Sequence, residues 1–458
     1  MARKRYYPAP VVAQTGRATA WTLPQETKEP EGFQNLAFYA GLAMLLVRLA
    51  VLPEVLYSIL HVNTYILYLV GPPAIFGALF CGAIPRTLRH PAGWFWVLFF
   101  TFMAISVPFS SWKGGSTAEV KSYAEFSLPL LFTVGGLTLT WKQVRTTCYV
   151  MGVSGLINIF TASLFAKEDN GRIDMMASGT IGNSNDLASH LILILPFVLF
   201  IAMDKRRNAF LRWSMIAPIV YALRVILGTA SRGAVIALVT MFLFVLIRAS
   251  AKQRVIALVL AGLMAAAIPV LVQGNAAARL GSMIGESSHE EAKESEDARR
   301  YLLKQSLIYT LQHPVFGIGV GQFATYEGTS AVAEGRVGNW HQTHNAFTQV
   351  SSECGIPALL GFILGLAAAL RSLSRTYRES RRGGFTEISN AAFCYLLAMV
   401  GYLVSIFFLA NAYRFYLPAM IGLAIAMSSA AAREMSAGNK VPELASAFGS
   451  RNGLAVRI

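Results

Sequence analysis

Residues 186–207 read DLASHLILILPFVLFIAMDKRR, and this stretch decides the fold. After a polar opening turn the run stays apolar to Met203 and then closes on Lys205-Arg206-Arg207. An α-helix rises about 1.5 Å per residue and needs roughly 20 residues to cross a hydrocarbon core about 30 Å thick, so the run has the length of one crossing. The cations at its end place that end in the cytoplasm, because short cytoplasmic loops collect Lys and Arg.

The pattern repeats in both directions. Spans are expected near 33–52, 62–83, 92–112, 122–140, 146–165, 186–203, 212–228, 232–248, 254–273, 355–372, 388–410 and 413–432. An even number of crossings leaves both termini in the cytoplasm. The loops that then share that side hold Arg86 and Arg89, Lys142 and Arg145, Lys205 to Arg207 with Arg212, Arg248 with Lys252 and Arg254, and the cluster Arg371 to Arg382. Every one is basic, as the topology requires. Pro72-Pro73 interrupts the 62–83 run and makes it the place for a kink or a re-entrant piece.

The composition agrees, with 55% hydrophobic and 14% charged residues. A net charge of +15 would suggest nucleic acid in a soluble protein, but here most of the cations lie in short loops, which argues against nucleic-acid binding. The expected fold is therefore an all-α integral membrane protein of about 12 transmembrane helices with one large, partly helical outer loop. Residues 1–32 and 433–458 are read as cytoplasmic tails, 33–273 as helices one to nine, 274–354 as the large loop, and 355–432 as helices ten to twelve. Arg3, Lys4 and Arg5 are not followed by the short apolar core and cleavage site of a signal peptide. Cys81, Cys148, Cys354 and Cys394 lie in or beside apolar runs and imply no disulfide framework.

The large loop begins with an acidic run, Glu286 to Asp297, and loops of this length usually carry function. Leu303, Leu307 and Leu311 recur at helical spacing before Pro314, which predicts an amphipathic helix over about 292–312 with Arg299 and Leu303 on one face. Gly317-Ile-Gly-Val-Gly321 reads as a tight irregular turn. It is no phosphate-binding P-loop, since the Lys-Ser/Thr and the preceding strand are missing.

Polar residues within the spans gather at the outer ends: Arg48, Glu125, His190, Arg224, Arg232 and Arg414. Intramembrane charge is costly and marks function, although Arg48 and Arg414 also read as snorkelling or helix-end partners. Arg232 stands in the short turn Thr229-Ala-Ser-Arg-Gly233, where a guanidinium suits an anionic ligand. In Gly182-Asn-Ser-Asn-Asp-Leu187 the expected role is N-capping by Asn185 or Asp186, with His190 one turn on. Arg172 and Arg336 either add to the outer charge or are merely solvated.

His341-Gln-Thr-His-Asn345 runs directly towards a span. The two histidines are three apart and would share a helical face, but no third strong metal ligand stands in register and no His-Glu-x-x-His occurs. Backbone-bonded interfacial histidines and general-base chemistry remain the other readings, the latter because imidazole titrates near neutral pH.

These residues resemble a family. His344 followed by ten residues and Gly355 before a span, with Arg299-x-x-x-Leu303 in the same loop, is similar to the bacterial O-antigen ligases and their lipid-linked glycan polymerase relatives. Gly182 to Ala188, Ala230-Ser-Arg-Gly-Ala234 and His313-Pro-Val-Phe-Gly-Ile-Gly319 extend the resemblance over about 180–375. It implies a GT-C-like, metal-independent, cofactor-free glycosyltransferase of the inner membrane whose active site faces the periplasm. Such enzymes take glycan from undecaprenyl diphosphate to a sugar hydroxyl of lipid A-core, completing lipopolysaccharide, among membrane lipids and without nucleic acid. Carried over, His344 is the general base, with His341 the alternative, and Arg232 and Arg299 hold the donor diphosphate. Arg224, two turns before Arg232, and Arg300, beside Arg299, are added to that set by position. His341 beside the motif and Cys354, where a small or hydroxylated residue is more usual, depart from the family pattern. An O-antigen or exopolysaccharide polymerase is the near alternative, less favoured because one outer loop dominates, and a protein acceptor also stays open. A secondary transporter is the alternative from another class, disfavoured by polar groups at the rim rather than the midplane.

Overall fold

The computed structural model describes residues 32–169, 172–175, 179–251, parts of 253–262, 290–338 and 340–451. Among these, eight helices are long and apolar enough to cross a membrane: Gly32–Leu49, Pro91–Phe109, Trp141–Phe165, Ser184–Met203, Ala209–Gly228, Ala346–Arg382, Thr386–Phe408 and Tyr416–Gly438. Ile66–Phe80 is a shorter apolar helix that keeps Pro72 and Pro73 inside it, and Arg232–Arg248 is a helix of 17 residues. The expected span 254–273 and the acidic run from Glu286 lie largely outside the described residues. The chain is thus an all-α integral membrane protein by its helices, with one addition that patterning did not reveal: an antiparallel pair of short strands, Ala166–Asp169 and Arg172–Met175.

The expected span 122–140 is two helices, Lys113–Phe126 and Leu128–Leu137. Pro129 explains the break, because its nitrogen cannot donate to the preceding turn and its ring crowds the chain there. The expected span 212–228 is likewise two pieces, Ala209–Ser214 and Ile216–Gly228.

Ser184–Met203 lies at the centre, with almost every side chain buried among Ile159, Ala222, Ala237 and Leu397. A second, larger core joins Trp96, Phe99, Tyr123, Phe362, Tyr395 and Tyr402. Trp96 donates to the Tyr123 hydroxyl there at 2.9 Å, so neither polar atom is buried without a partner.

The outer loop helix runs Glu290–Gln312, close to the expected bounds, but its buried face is not the leucine stripe. Leu302, Ser306 and Tyr309 are buried, whereas Leu303 and Leu307 are exposed and Leu311 is 76% exposed. Tyr309 and Leu302 pack with Ile318 and Phe323, giving the loop its own small core over the helix Phe323–Ala333.

The tenth expected span differs most. A helix begins at Ala346, nine residues before the expected start, and continues to Arg382, so the basic cluster Arg371–Arg382 is helical rather than loop. It breaks at Gly355, whose φ of 85° favours glycine. The break is chemically complete. Pro357 has no N–H for the Glu353 carbonyl, and the Ile356 N–H turns instead to the Pro314 carbonyl at 2.8 Å, freeing the Ser352 carbonyl. Ile318 and Gly319 then donate to the Ser352 and Glu353 carbonyls at 2.9 and 3.0 Å, so the glycine-rich turn supplies the two bonds the helix gave up.

Candidate functional site

Three chain segments meet at the N-terminal end of the central helix. The first is its N-terminus, where the capping residue is Asn183 rather than Asn185 or Asp186: its side chain accepts from the Asn185 and Asp186 N–H groups at 2.9 and 3.1 Å. That leaves Asp186 and Asn185 for other partners. Asp186 accepts from Asn183 at 2.9 Å and from Asn411 at 3.2 Å, and Asn185 accepts from Arg172 at 3.0 Å. Arg172 also donates to the Thr229 carbonyl at 2.9 Å, so it fastens this helix start to the next turn and is not merely solvated. His190 is fully buried, its Nδ1 2.8 Å from the Tyr416 hydroxyl.

The second segment is the turn before Arg232. Ala230 has a φ of 49° and Ser231 caps the helix Arg232–Arg248, accepting from the Ala234 N–H at 3.4 Å. The first turn of a helix leaves N–H groups unpaired and carries partial positive charge, so it favours an anion in front of it. Arg232 opens that turn, half-buried, between Ser231 and Gly233, and unlike those two neighbours it is not part of the lining of the cleft they share with Arg299.

The third segment is the loop helix carrying Arg299. Arg299, Ser231, Gly233, Ala234, Asn185 and Ser189 line one small open cleft, with space for little more than a water molecule, together with Ser405, Phe408 and Leu409. The lining mixes a guanidinium, hydroxyls and a side-chain amide with an apolar wall. Arg300 is exposed and does not line the cleft. Consecutive helical residues diverge by about 100°, so the two side chains leave the helix in different directions. Arg224 is also exposed, its guanidinium 6.0 Å from the Tyr221 ring, and lies outside the cleft lining.

Arg299 is held in place from its own helix. Tyr301 and Tyr309 both donate to Glu327, a carboxylate buried in the helix Phe323–Ala333, and Arg336 stands 3.6 Å from the same carboxylate. Arg336 also donates to Tyr301 and pairs with Glu334 at 2.7 Å, so it too is structural rather than merely solvated. Burial, and after it the hydrogen bond to the Glu327 carboxylate, push the Tyr309 and Tyr301 hydroxyls up, which keeps both as donors.

His341 and His344 do not lie on a helix. His344 has a φ of 53°, a costly conformation for a side chain of its size, and the helix begins only after Asn345, which caps the Phe347 and Thr348 N–H groups at 2.9 and 3.1 Å. Thr343 is buried and donates to the Asn345 carbonyl at 3.0 Å, which fixes the bend. The two imidazoles are 6.4 Å apart, with His341 exposed and His344 half-buried. Burial, then the Arg299 guanidinium, then His341 push the His344 pKa down to about 4. His344 is therefore neutral at pH 7, with a lone pair free to accept a proton. Arg299 is thus within electrostatic reach of His344, although His344 itself is not part of the cleft lining. Among the described residues no group of three or more His, Cys, Asp or Glu could hold a metal ion.

Sequence reasoning gave Glu353 and Glu327 no role. Glu353 is fully buried and accepts from the Gly321 and Phe323 N–H groups at 2.9 and 3.1 Å, locking the glycine-rich turn to the helix that follows His344. Its only signal was an acidic residue two positions before a Gly-x-Pro helix break. Cys354 beside it is buried, with Sγ 3.4 Å from the Tyr413 hydroxyl, so a polarisable thiol fills the place. Arg48 lies over the Phe415 ring at 4.6 Å and donates to the Phe126 carbonyl at 3.4 Å, and Arg414 donates to the Gly179 carbonyl at 3.4 Å. Both act as helix-end partners.

Residues 217–363 match a family model described as O-antigen ligase. The matched stretch contains Arg224, Arg232, Arg299, Arg300, His341, His344 and Gly355. No curated protein matches the chain. The match supports a function of the O-antigen ligase or polymerase type in a multi-pass membrane protein, acting on lipid-linked glycan.

Proposed function

We propose, starting from the match of residues 217–363 to a family model described as O-antigen ligase, that the protein transfers glycan from undecaprenyl diphosphate to a sugar hydroxyl of lipid A-core. The transfer takes place at the periplasmic face of the inner membrane, with both termini cytoplasmic. What supports this most is the position of Arg299, which lines one cleft with the Ser231 turn and lies in electrostatic reach of a neutral His344.

In this reading His344 accepts the proton of the acceptor hydroxyl while its oxygen attacks the anomeric carbon. The bond from that carbon to the diphosphate oxygen breaks, and the lipid diphosphate leaves with one more negative charge. Arg299, Arg232 and the N-terminal turn of the Arg232–Arg248 helix meet that charge, and fixed guanidinium and N–H groups lower the barrier because they need no reorganisation as it develops. Such a cationic cradle does the electrostatic work a divalent ion would do elsewhere, so the reaction is read as metal-independent. Arg224 and Arg300 would serve the approach of the diphosphate rather than its bound position.

The polymerase reading shares the donor and differs in the acceptor. Deleting the gene and extracting lipid-linked glycan separates the two. A ligase leaves full-length polymer on the carrier and uncapped core, whereas accumulation of single repeat units would overturn the ligase reading in favour of the polymerase.

A further inference from the structure

Trp340 stands one residue before His341 in a conformation that a bulky side chain seldom takes, with a φ of 50°. Left-handed backbone at such a residue costs energy and persists only where the surroundings impose it, and it concentrates at functional sites. Its ring packs on the helix Phe323–Ala333. A Cβ placed on Gly328 would lie 2.5, 2.6 and 2.8 Å from Trp340 Cδ2, Cε3 and Cε2. Two of these atoms are the ring-fusion carbons, so the glycine backbone lies under the face of the indole and not at its edge.

With one face laid on Gly328, Trp340 is still 54% exposed, so the other face is open. An indole fixed flat with a free face is a platform. Its negative π-surface attracts the partly positive C–H groups of a saturated ring laid on it, while the ring's hydroxyls stay at the rim for polar partners. Exposed His341 and Gln342 follow immediately in the chain and supply such partners. Four residues of chain span at most about 14 Å, so the platform is within the length of a short oligosaccharide of His344.

We propose that Trp340, backed by Gly328 and bordered by His341 and Gln342, is a pyranose-stacking subsite that holds a sugar ring of the glycan next to the bond being formed. The subsite rests on the glycan-transfer reading above and deepens it. It takes the faces of pyranoses that carry axial C–H groups and discriminates against sugars that turn a hydroxyl or a charge to the indole. Interfacial tryptophans also anchor membrane proteins, but an anchor buries its ring in lipid and needs no flat seat beside a polar His341-Gln342 pair.

The test uses the full-length protein in lipid nanodiscs and oxidises exposed tryptophan with N-bromosuccinimide, reading Trp340 by mass spectrometry. Deacylated core oligosaccharide and an undecaprenyl-diphosphate-linked repeat unit are added separately. Protection of Trp340 by the first places the acceptor sugar on the platform, and protection by the second places the donor sugar there. No protection by either, or a Trp340 already shielded by the nanodisc lipid alone, overturns the proposal. The same labelling in His344→Ala protein separates the two claims: transfer retained by His344→Ala with Trp340 still protected removes the base assignment and leaves the subsite standing. In steady-state transfer assays Trp340→Ala raises the KM of the protecting substrate about tenfold with kcat within a factor of about two, and Trp340→Tyr keeps most of the wild-type KM. Gly328→Ala, which lifts the ring from its seat, gives the same KM rise with residue 340 intact. A wild-type KM in both Trp340→Ala and Gly328→Ala would contradict the subsite.

Discussion

Tyr301, two residues beyond Arg299 on the loop helix, donates its hydroxyl hydrogen to the buried carboxylate of Glu327. Through this bond a helix with no side chain in the cleft fixes one that reaches it with Arg299. Glu327→Ala leaves two tyrosine hydroxyls without this acceptor, while Arg336 keeps Glu334, and losing a buried hydrogen-bonding partner costs about 1–3 kcal/mol. The expected result is a lower unfolding temperature in detergent and reduced transfer. Glu327→Gln, which keeps an acceptor oxygen, recovers part of both. Unchanged stability in Glu327→Ala would show that the loop helix is held by other means.

Arg299 and Arg300 should separate sharply. Arg299→Ala removes a cation from the cleft lining, and transition-state charge stabilisation of this kind is worth about 10²–10³ in rate. Arg300→Ala and Arg224→Ala, both outside that lining, are expected to lose less than about tenfold on the same scale. Transfer assays on the three purified variants at matched concentration decide it, and equal losses would remove the distinction.

The pH dependence follows from the low pKa of His344. Burial, Arg299 and His341 hold it at about 4, below its ordinary 6.5, so the neutral imidazole persists well into mild acid and the acid limb of activity falls through about pH 4 rather than 6.5. Replacing Arg299 by Gln removes a charge that opposes protonation, so the residual activity of that variant loses its base at higher pH. Because the folded pKa lies below the unfolded one, His344's contribution to stability is complete above about 6.5 and is lost as the pH falls towards 4. A limb centred near 6.5 in the wild type, with no shift in Arg299→Gln, would contradict this account.

Gly355 and Gly335 both have positive φ but different surroundings. A Cβ on Gly355 would lie 2.2 Å from the Val315 carbonyl oxygen, whereas nothing lies within 4 Å of one on Gly335. Gly335→Ala therefore bears only the conformational cost, about 1 kcal/mol. Gly355→Ala adds a backbone collision that must separate the helix break from the glycine-rich turn. It is expected to fail in membrane expression, which a fluorescence size-exclusion profile would show.

Much of the fold was legible because membrane crossing imposes its own grammar. The run 186–207 gives length, depth and direction at once, and Glu290–Gln312 follows from its periodic leucines and Pro314. Its buried face did not, since Leu303 and Leu311 point away from the small core that Leu302 and Tyr309 build. Periodicity marks an apolar stripe, and only tertiary packing decides which face is covered. The helix start at Ala346 was missed for a related reason: the Asn345 cap and the polar turns 346–354 read as loop until the Pro314–Gly319 strap supplies their outer bonds. Within the candidate site, Arg299 and His344 stood out as charge and titratable group in suggestive spacing. Glu327, Glu353 and Trp340 did not, because their meaning lies in hydrogen bonds to residues 18 to 32 positions away or in a glycine seat on another helix.

The central claim is that His344, and not His341, takes the proton of the acceptor hydroxyl. The direct measurement complements a deletion strain with His344→Ala and with His341→Ala at equal membrane expression, and reads lipopolysaccharide on gels beside extracted carrier-linked glycan. The account predicts uncapped core and full-length polymer held on its carrier for His344→Ala, with capped lipopolysaccharide restored, at reduced level, by His341→Ala. Full capping by His344→Ala, or loss of capping confined to His341→Ala, would contradict it.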